Sequence, residues 1–320
     1  MNLNKKNFFL NLNKNFLFEK KPSIAVAVSG GPDSLALIYL MNYWIKSKEG
    51  NLIALIIDHR IRAESYNEAQ KTKNYLTTLN IKSKVIRVSN KKLQKRNMNE
   101  ARINRYDKLI NYCKNNNILH LFLGHHFDDN IETFLIRKIA GSNIEGLGAM
   151  KISTTRKNIQ IVRPLLNYKK KEIITFNKNC KIKFLQDPSN LDENYTRVKI
   201  RNFLISTKKL QLIIKDFNKI NYYVPYYQLM INEILNKIIL RLKKNLITIS
   251  LNDFNKLNLE IKAKLIDKIY VFFYQNNKRL RFVKVMNFLN KLNNSSFKNY
   301  NLSSMSIKKT GKLLDFSIIN

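Results

Sequence analysis

The segment SIAVAVSGGPDS, residues 23–34, decides the fold because an apolar, β-branched run passes directly into a loop with two glycines. The run predicts a strand, and the residues after it predict a helix. The backbone N–H groups of such a loop and the helix N-terminus together suit an anion such as phosphate. An ordinary turn with Asp33 or Ser34 as the N-cap is the simpler alternative. The loop lacks both the Walker A ending and the G-x-G-x-x-G spacing of dinucleotide sites.

The same alternation of apolar runs and helical patterns continues to residue 140 and predicts an α/β fold. We expect an open parallel five-stranded sheet with helices on both faces. The predicted strands are Ser23–Val28, Leu52–Ile57, Lys84–Val88, Ile118–Leu123 and Ile159–Arg163, and the predicted helices are 34–47, 64–80, 97–115 and 129–140. Ligands of such sheets bind at the carboxyl ends of the strands, where residues 29–34, 58–62 and 124–129 fall.

A chain of 320 residues is long enough for two domains. We expect an N-terminal extension over residues 1–22, an α/β domain over 23–204, and a mainly helical, basic domain over 205–320. The last domain should end in a hairpin whose strands flank residues 308–312.

A formal net charge of +36, from 58 Lys and Arg against 22 Asp and Glu residues, is the strongest global signal. A surface this basic attracts phosphate backbones and releases their counterions on binding, so nucleic acid is the expected partner. Compositional drift is the alternative, because the chain is rich in Lys, Asn and Ile throughout and its basic residues are scattered. Charge alone does not identify which RNA would bind.

The two cysteines, Cys113 and Cys180, lie far apart and form no C-x-x-C pair. This spacing argues against a disulfide framework, a structural zinc site and a cluster-binding site. No stretch approaches the roughly 18 consecutive apolar residues that a membrane span requires, and Asn or Lys interrupts every apolar run in residues 1–21. We therefore expect no membrane contact and a cytoplasmic location.

A second polar motif, GHHFDDNIET at residues 124–133, holds two of the four histidines of the chain. Such a concentration suggests a functional site, but two alternatives stay open. Asp129 and Glu132 have the spacing of a capping box at the start of a helix. The histidine and aspartate side chains are also of metal-ligand type, although no H-x-x-x-H spacing supports zinc.

The loop at residues 29–34 resembles the S-G-G-x-D-S loop of N-type ATP pyrophosphatases, the PP-loop superfamily, whose fold is that of the adenine nucleotide α-hydrolases. The resemblance implies cleavage of ATP between the α- and β-phosphates, with the loop holding the departing pyrophosphate. Asp33 would be catalytic and would help to hold Mg²⁺. The implied ATP-binding residues are Ser29, Gly30, Gly31, Pro32, Asp33 and Ser34.

Together with its neighbours, the second motif is similar to the tRNA(Ile)-lysidine synthetase family, and the resemblance spans most of residues 23–201. The other matching positions are Asp58-His59, Arg62–Ser65, Glu100–Arg102, Arg105-Tyr106, Arg137, Gly141-Ser142, Gly146-Leu147, Met150, Arg163–Leu166, Asp187–Asn190, Arg197 and Arg201. Two positions depart from the pattern: Arg60 replaces the glycine usual after Asp-His, and Ala140 replaces the arginine usual before Gly-Ser. The C-terminal region matches weakly.

For this family the implied reaction is adenylation of the C2 oxygen of the wobble cytidine in a CAU anticodon, followed by attack of the lysine ε-amine at C2. The implied partners are ATP, Mg²⁺, free L-lysine and tRNA(Ile) with that anticodon. An ε-amine with a reference pKa of about 10.4 is mostly protonated at neutral pH, so a group must hold it and accept its proton. Asp129 and Glu132 are the candidates, either one acting as base. His125 is a candidate contact to phosphate or to the activated nucleotide.

Candidates for RNA contacts or for the wall of the site are Arg102, Asp187, Asn190, Arg197 and Arg201. Arg197 and Arg201 are four apart on an expected helix and could present guanidinium groups to RNA phosphate. A solvated basic face explains this pair nearly as well. Residues 187–190 are by themselves also a plain turn signature.

Three other functions compete with this interpretation. A tRNA thiolase of the same superfamily would share ATP and RNA, but the scarce, widely spaced cysteines disfavour it. A small-molecule synthetase would use the same ATP chemistry, yet the charge of +36 suits a large polyanion better. A basic RNA-binding protein without catalysis would not need Asp33. The oligomeric state stays open, with a homodimer as one alternative.

Overall fold

The computed structural model describes residues 2–58, 65–87, 98–184, 195–274, 280–294 and 296–319. The chain divides into two compact units, Met1–Asn218 and Lys219–Asn320. Each unit has its own hydrophobic core. The boundary that we predicted after residue 204 stays a prediction. A helix begins at Leu210 and continues to Ile238, across the division between the units.

The first unit contains a six-stranded sheet in the order β3-β2-β1-β4-β6-β5. Its strands are β1 Ser23–Val28, β2 Asn51–Asp58, β3 Ser83–Arg87, β4 His120–Phe122, β5 Ser153–Arg156 and β6 Ile159–Val162. The five strands that we predicted are present and parallel to one another, which confirms the expected parallel arrangement.

The sixth strand, β5, pairs antiparallel with β6 at the edge and was not predicted. Its sequence, STTR, has no apolar alternation, so the pattern gave no strand there. Lys157 and Asn158 form the tight turn between the two strands, with φ angles of 50° and 66°.

Helices cover both faces of this sheet, as expected. The helices of this unit are α1 Lys5–Asn15, α2 Pro32–Lys46, α3 Ser65–Thr78, α4 Met98–Asn115, α5 Phe127–Ile139, α6 Lys170–Asn179, α7 Thr196–Ser206 and the first part of α8 Leu210–Ile238. Along β1, Ile24 and Val26 pack into one core cluster, whereas Ala25 packs into a second one. Alternate side chains of a strand point to opposite faces, so this division shows two covered faces.

The N-terminal extension is itself partly helical. Phe8 and Leu12 of α1 lie one helical turn apart and are fully buried in the first core cluster. Asn and Lys interrupt the apolar run in sequence, but they leave the i, i+4 spacing that one buried helix face requires.

The second unit combines helices with a five-stranded antiparallel sheet in the order β7-β8-β11-β10-β9. Its further elements are β7 Ile239–Lys243, β8 Leu246–Ser250, α9 Leu251–Asn255, α10 Leu259–Tyr274, α11 Phe282–Leu292, β9 Asn299–Leu302, β10 Met305–Thr310 and β11 Leu313–Ile318. The predicted terminal hairpin is present as β10 and β11, with Gly311 in the left-handed region at its turn. The other three strands were not predicted, so this unit is less helical than we expected.

Across the described ranges, no helix combines the length and the apolar character that crossing a membrane would require.

Candidate active site

The loop between β1 and α2 has a conformation that leaves the start of the helix uncapped. Gly30 has a φ of 82°, which favours glycine, and Gly31 is the N-cap without a side-chain hydrogen bond. Ser34 Oγ accepts from Ser29 N at 3.1 Å and donates to the carbonyl of Gly31 at 3.0 Å. The simpler alternative, with Asp33 or Ser34 as the N-cap, is therefore wrong. The first N–H groups of α2 keep the potential to bind an anion.

Gly124, at the end of β4, allows the second motif to lie directly against this loop. A Cβ at Gly124 would lie 3.1 Å from the carbonyl carbon of Asp33 and 3.2 Å from the backbone nitrogen of Ser34. These neighbours are backbone atoms, which cannot yield as a flexible side chain can. The close approach therefore favours glycine at this position.

Lys170, at the start of α6, binds the loop carboxylate. Its Nζ lies 2.7 Å from Asp33 Oδ1 and 2.6 Å from Oδ2. Its backbone N–H donates to Asp128 Oδ2 at 2.7 Å, and Asn177 on the same helix donates to the carbonyl of Pro32 at 2.9 Å. Lys170 was not among the predicted site residues. The available signal was the run of three lysines at residues 169–171.

His126 connects the loop to the acidic start of α5. Its Nε2 lies 3.8 Å from Asp33 Oδ1 and 3.5 Å from Asp129 Oδ2, and its Nδ1 lies 3.5 Å from Asp128 Oδ2. Burial opposes protonation of His126, but the three carboxylates outweigh burial and raise its pKa. The carboxylates of the loop and of α5 thus favour the imidazolium form of His126 more than water does.

Asp129 participates in the helix cap, although not with the partner that we predicted. Helix α5 begins at Phe127, so His126 is the N-cap and its backbone N–H donates to Asp129 Oδ2 at 3.0 Å. The predicted capping box of Asp129 with Glu132 is wrong, because the helix starts earlier than residue 129. Burial acts to raise the pKa of Asp129, but the charges of His126 and Arg197 outweigh it and lower that pKa.

Glu132 is almost fully buried and is paired with two arginines of α7. Its Oε2 accepts from Arg197 Nε at 2.6 Å, and its Oε1 accepts from Arg201 Nε at 2.8 Å. Arg197 also donates to Asp129 Oδ1 at 3.1 Å. The alternative of a purely solvated basic face is therefore wrong for this arginine pair. The i, i+4 spacing directs both guanidinium groups to one buried carboxylate.

His125 lies in a basic environment beside this network. Burial lowers its pKa to about 3, and the charges of Arg163, Arg102 and Arg105 act in the same direction, against the charge of Asp129. Its Nδ1 is buried and has no hydrogen-bond partner among the described residues. His125 is thus a neutral imidazole with one unused ring nitrogen in the buried part of the site.

The structure brings together most of the predicted site residues: Ser29, Gly30, Gly31, Pro32, Asp33, Ser34, His125, Asp129, Glu132, Arg197 and Arg201. Arg102 is exposed on α4 and contributes positive charge near His125. Asp187 and Asn190 lie outside the described residues. Within the described part of the chain, no three His, Cys, Asp or Glu side chains form a group that could hold a metal ion by themselves.

Comparisons with known proteins identify the family of the chain. A model of the PP-loop domain family matches residues 2–208. The tRNA(Ile)-lysidine synthase of Wolbachia pipientis wMel is 34% identical over 300 residues, which cover 90% of this chain and 69% of that protein. The enzyme of the same name from Orientia tsutsugamushi (strain Boryong) is 36% identical over 200 residues, covering 62% of this chain but only 45% of its own length.

A solved structure supports the fold alone. The U34-tRNA thiolase NcsA from Methanococcus maripaludis with its [4Fe-4S] cluster matches with a TM-score of 0.55 at 18% identity. The match covers 68% of this chain and 78% of the thiolase.

Proposed function

The chain belongs to the tRNA(Ile)-lysidine synthase family of PP-loop proteins, and we propose that it is a ligase that joins lysine to C2 of the wobble cytidine of tRNA(Ile) with a CAU anticodon. The reaction consumes ATP, passes through an adenylated cytidine, and releases pyrophosphate and AMP. The tRNA then reads AUA. We expect this reaction in the cytoplasm.

The proposal rests on one observation. His126 lies between the loop at residues 29–34, which we call the phosphate loop, and the acidic start of helix α5. Its Nε2 lies 3.8 Å from Asp33 and 3.5 Å from Asp129. A loop that binds pyrophosphate is thus next to a carboxylate that suits an ammonium group. Activation of the cytidine and capture of the lysine require these two groups at one site.

The adenylation step uses the loop. We infer that the N–H groups at the start of α2 and the hydroxyl of Ser29 bind phosphate oxygens. The Ser34 hydroxyl donates to the carbonyl of Gly31 and accepts from Ser29 N, so in this conformation it stabilises the loop. Mg²⁺ is usually held by one or two carboxylates together with substrate phosphates, and Asp33 fits that role. When bound, the ion would neutralise charge on the pyrophosphate. Lys170, which now holds Asp33, is placed to move its ammonium group to the same phosphates.

We infer that the lysine substrate contacts Asp129 rather than Glu132, because the Asp129 side chain is 15% exposed and that of Glu132 only 2%. Both oxygens of Glu132 are occupied by arginines, so we infer that Glu132 positions Arg197 and Arg201. Asp129 has the lowered pKa of a stable carboxylate, which suits electrostatic binding of the lysine ε-ammonium better than removal of its proton. We infer that the ammonium group loses that proton to water before the amine attacks C2. His125 is neutral, and we infer that its imidazole contacts the activated nucleotide without adding a charge to the site.

The thiolase alternative finds little support in the cysteines. Cys113 is fully buried in a core cluster, and burial raises its pKa to about 12. A thiol in that environment is a poor nucleophile and a poor cluster ligand. Cys180 is half-buried at the end of α6 and has no cysteine beside it in the sequence.

The test offers the purified protein ATP, Mg²⁺, labelled lysine and an unmodified CAU tRNA transcript, and measures label in RNA together with AMP. We expect incorporation with a stoichiometric release of AMP. A transcript with uridine at the wobble position should accept no label. Equal labelling of that transcript, or no labelling of any folded CAU transcript, would overturn the proposal.

A further inference from the structure

Helix α8 presents exposed tyrosines in the second unit. The residues Tyr222, Tyr223 and Tyr226 are 62%, 48% and 57% exposed. Leu229 and Met230 continue the same face and are also exposed. Their spacing of three and four residues places the five side chains on one side of the helix. We call these five residues the α8 aromatic face.

A neighbouring side of α8 packs against the core of the second unit. Ile231 and Ile238 are buried in the core of the second unit, and Tyr227 and Ile234 pack against that core. The α8 aromatic face is therefore not the side that holds this unit together. Contiguous exposed apolar and aromatic groups of this kind mark interaction surfaces.

The tyrosines are arranged as neighbouring rings rather than as isolated side chains. The ring centroid of Tyr222 lies 5.4 Å from that of Tyr226 and 5.2 Å from that of Tyr223. Adjacent exposed aromatic rings are the groups on which successive unpaired bases stack in single-stranded nucleic acid binding. Each base contributes a π face whatever its identity, so such contacts need no base-specific hydrogen bonds.

The net positive charge of the second unit favours a polyanion over another copy of the chain. Residues 219–320 contain 18 Lys and Arg residues but only 5 Asp and Glu residues. Lys219 is exposed one turn before Tyr222 and Tyr223. A second copy would bring the same positive charge and repel this surface, whereas RNA would release counterions from it.

We propose that the α8 aromatic face is an RNA-binding surface on which Tyr222 and Tyr226 stack unpaired bases. That the RNA is the substrate tRNA rests on the proposed function. Stacking would supply affinity and orientation without changing the chemistry at the loop. The α8 aromatic face therefore binds RNA through residues other than Asp33 and Asp129.

The test compares RNA binding by the full chain and its variants. Changing both Tyr222→Ala and Tyr226→Ala should weaken the affinity for a CAU tRNA transcript by roughly tenfold or more, because two stacked bases are lost. Tyr222→Phe with Tyr226→Phe is the matched control and should retain most of the affinity, since phenyl rings still stack. Circular dichroism and the unfolding midpoint establish that each variant is folded.

Salt dependence separates stacking from charge. The double Ala variant should keep the wild-type slope of log K against log salt, whereas Lys219→Gln should reduce the slope by about 0.7–0.9. Unpaired RNA should compete for the wild-type protein better than a blunt RNA duplex of equal length. Crosslinking of 4-thiouridine RNA should map to α8. Unchanged affinity in the double Ala variant, together with crosslinks elsewhere, would overturn the inference.

Two further outcomes have a defined meaning. If sedimentation shows a wild-type dimer that the double Ala variant dissociates while RNA affinity is unchanged, the face binds a second copy and the inference is wrong. If RNA binding depends on the tyrosines but no transcript accepts lysine, the proposed function fails and this inference stands. If lysine is incorporated but RNA binding does not depend on the tyrosines, the proposed function stands and this inference is wrong.

Discussion

Lys170 holds both carboxylate oxygens of Asp33, although 137 positions separate the two residues. The pair lies at the start of two helices, α6 and α2, beside the phosphate loop. A cation and a carboxylate at this position can separate around a polyphosphate, the ammonium group binding its oxygens and the carboxylate its metal ion. This relationship makes Lys170 testable as a member of the ATP site.

Replacing Lys170 with Gln should lower lysidine formation by about 100-fold, because a charge-assisted contact to the departing pyrophosphate is lost. The free energy of unfolding should change by less than about 1 kcal/mol, since the pair is partly exposed to solvent. Steady-state kinetics with varied ATP and urea denaturation measure the two effects. Lys171→Gln changes the exposed neighbour and should leave both quantities near wild type. Full activity of Lys170→Gln would remove this residue from the site.

Replacing Gly124 with Ala should destabilise the protein by about 1–3 kcal/mol and weaken ATP binding. The new methyl group would lie 3.1–3.2 Å from backbone atoms of Asp33 and Ser34, so the loop must shift. Gly31→Ala is the control for stability, because its methyl group would meet only Ser29 Oγ at 3.5 Å. Equal unfolding midpoints for the two variants would contradict the close approach that we describe.

The sequence predicted the five parallel strands because each is a short, β-branched run between turn signals. It also predicted a loop at residues 29–34, because the residues of that motif are consecutive in the chain. The pairing of Lys170 with Asp33 depends on how α6 packs against α2, and neither helix encodes that contact in its own periodicity. From the sequence we predicted that Arg197 and Arg201 could contact RNA phosphate. Their partner in the structure, Glu132, lies on another helix, so the spacing within α7 does not reveal it. Residue spacing predicts which side chains share one face of a helix. The packing of the helices determines which residues that face contacts.

Replacing Glu132 with Gln should cost about 1–3 kcal/mol of unfolding free energy, because two guanidinium groups lose a buried carboxylate. The loss should be smaller than for a fully buried pair, since each arginine is about a third exposed and can gain water. Urea denaturation measures the change. Glu49→Gln is the matched control, because its ion pair with Lys21 is exposed and should contribute less than about 1 kcal/mol. Similar losses in both variants would show that burial of Glu132 does not matter.

His125 and His126 should make the free energy of unfolding depend on pH in opposite directions. The folded pKa of His126 is raised, so its contribution is complete below the unfolded pKa of about 6.5 and is lost as pH rises through the folded value. The folded pKa of His125 is lowered to about 3, so its contribution is complete above about pH 6.5 and is lost as pH falls.

The His125→Gln variant should therefore lose less stability on acidification than the wild type. Between about pH 6.5 and about pH 5 the wild type should lose about 2 kcal/mol more unfolding free energy than the variant. Over this range His125 binds a proton in the unfolded chain but stays neutral when it is buried in the folded protein. Urea denaturation at matched pH values measures it, and NMR titration of the two imidazoles assigns the pKa values. His126→Gln should instead flatten the pH dependence above about pH 6.5. Parallel stability curves for wild type and His125→Gln would show that His125 titrates normally, and its proposed role as a neutral nucleotide contact would then fail.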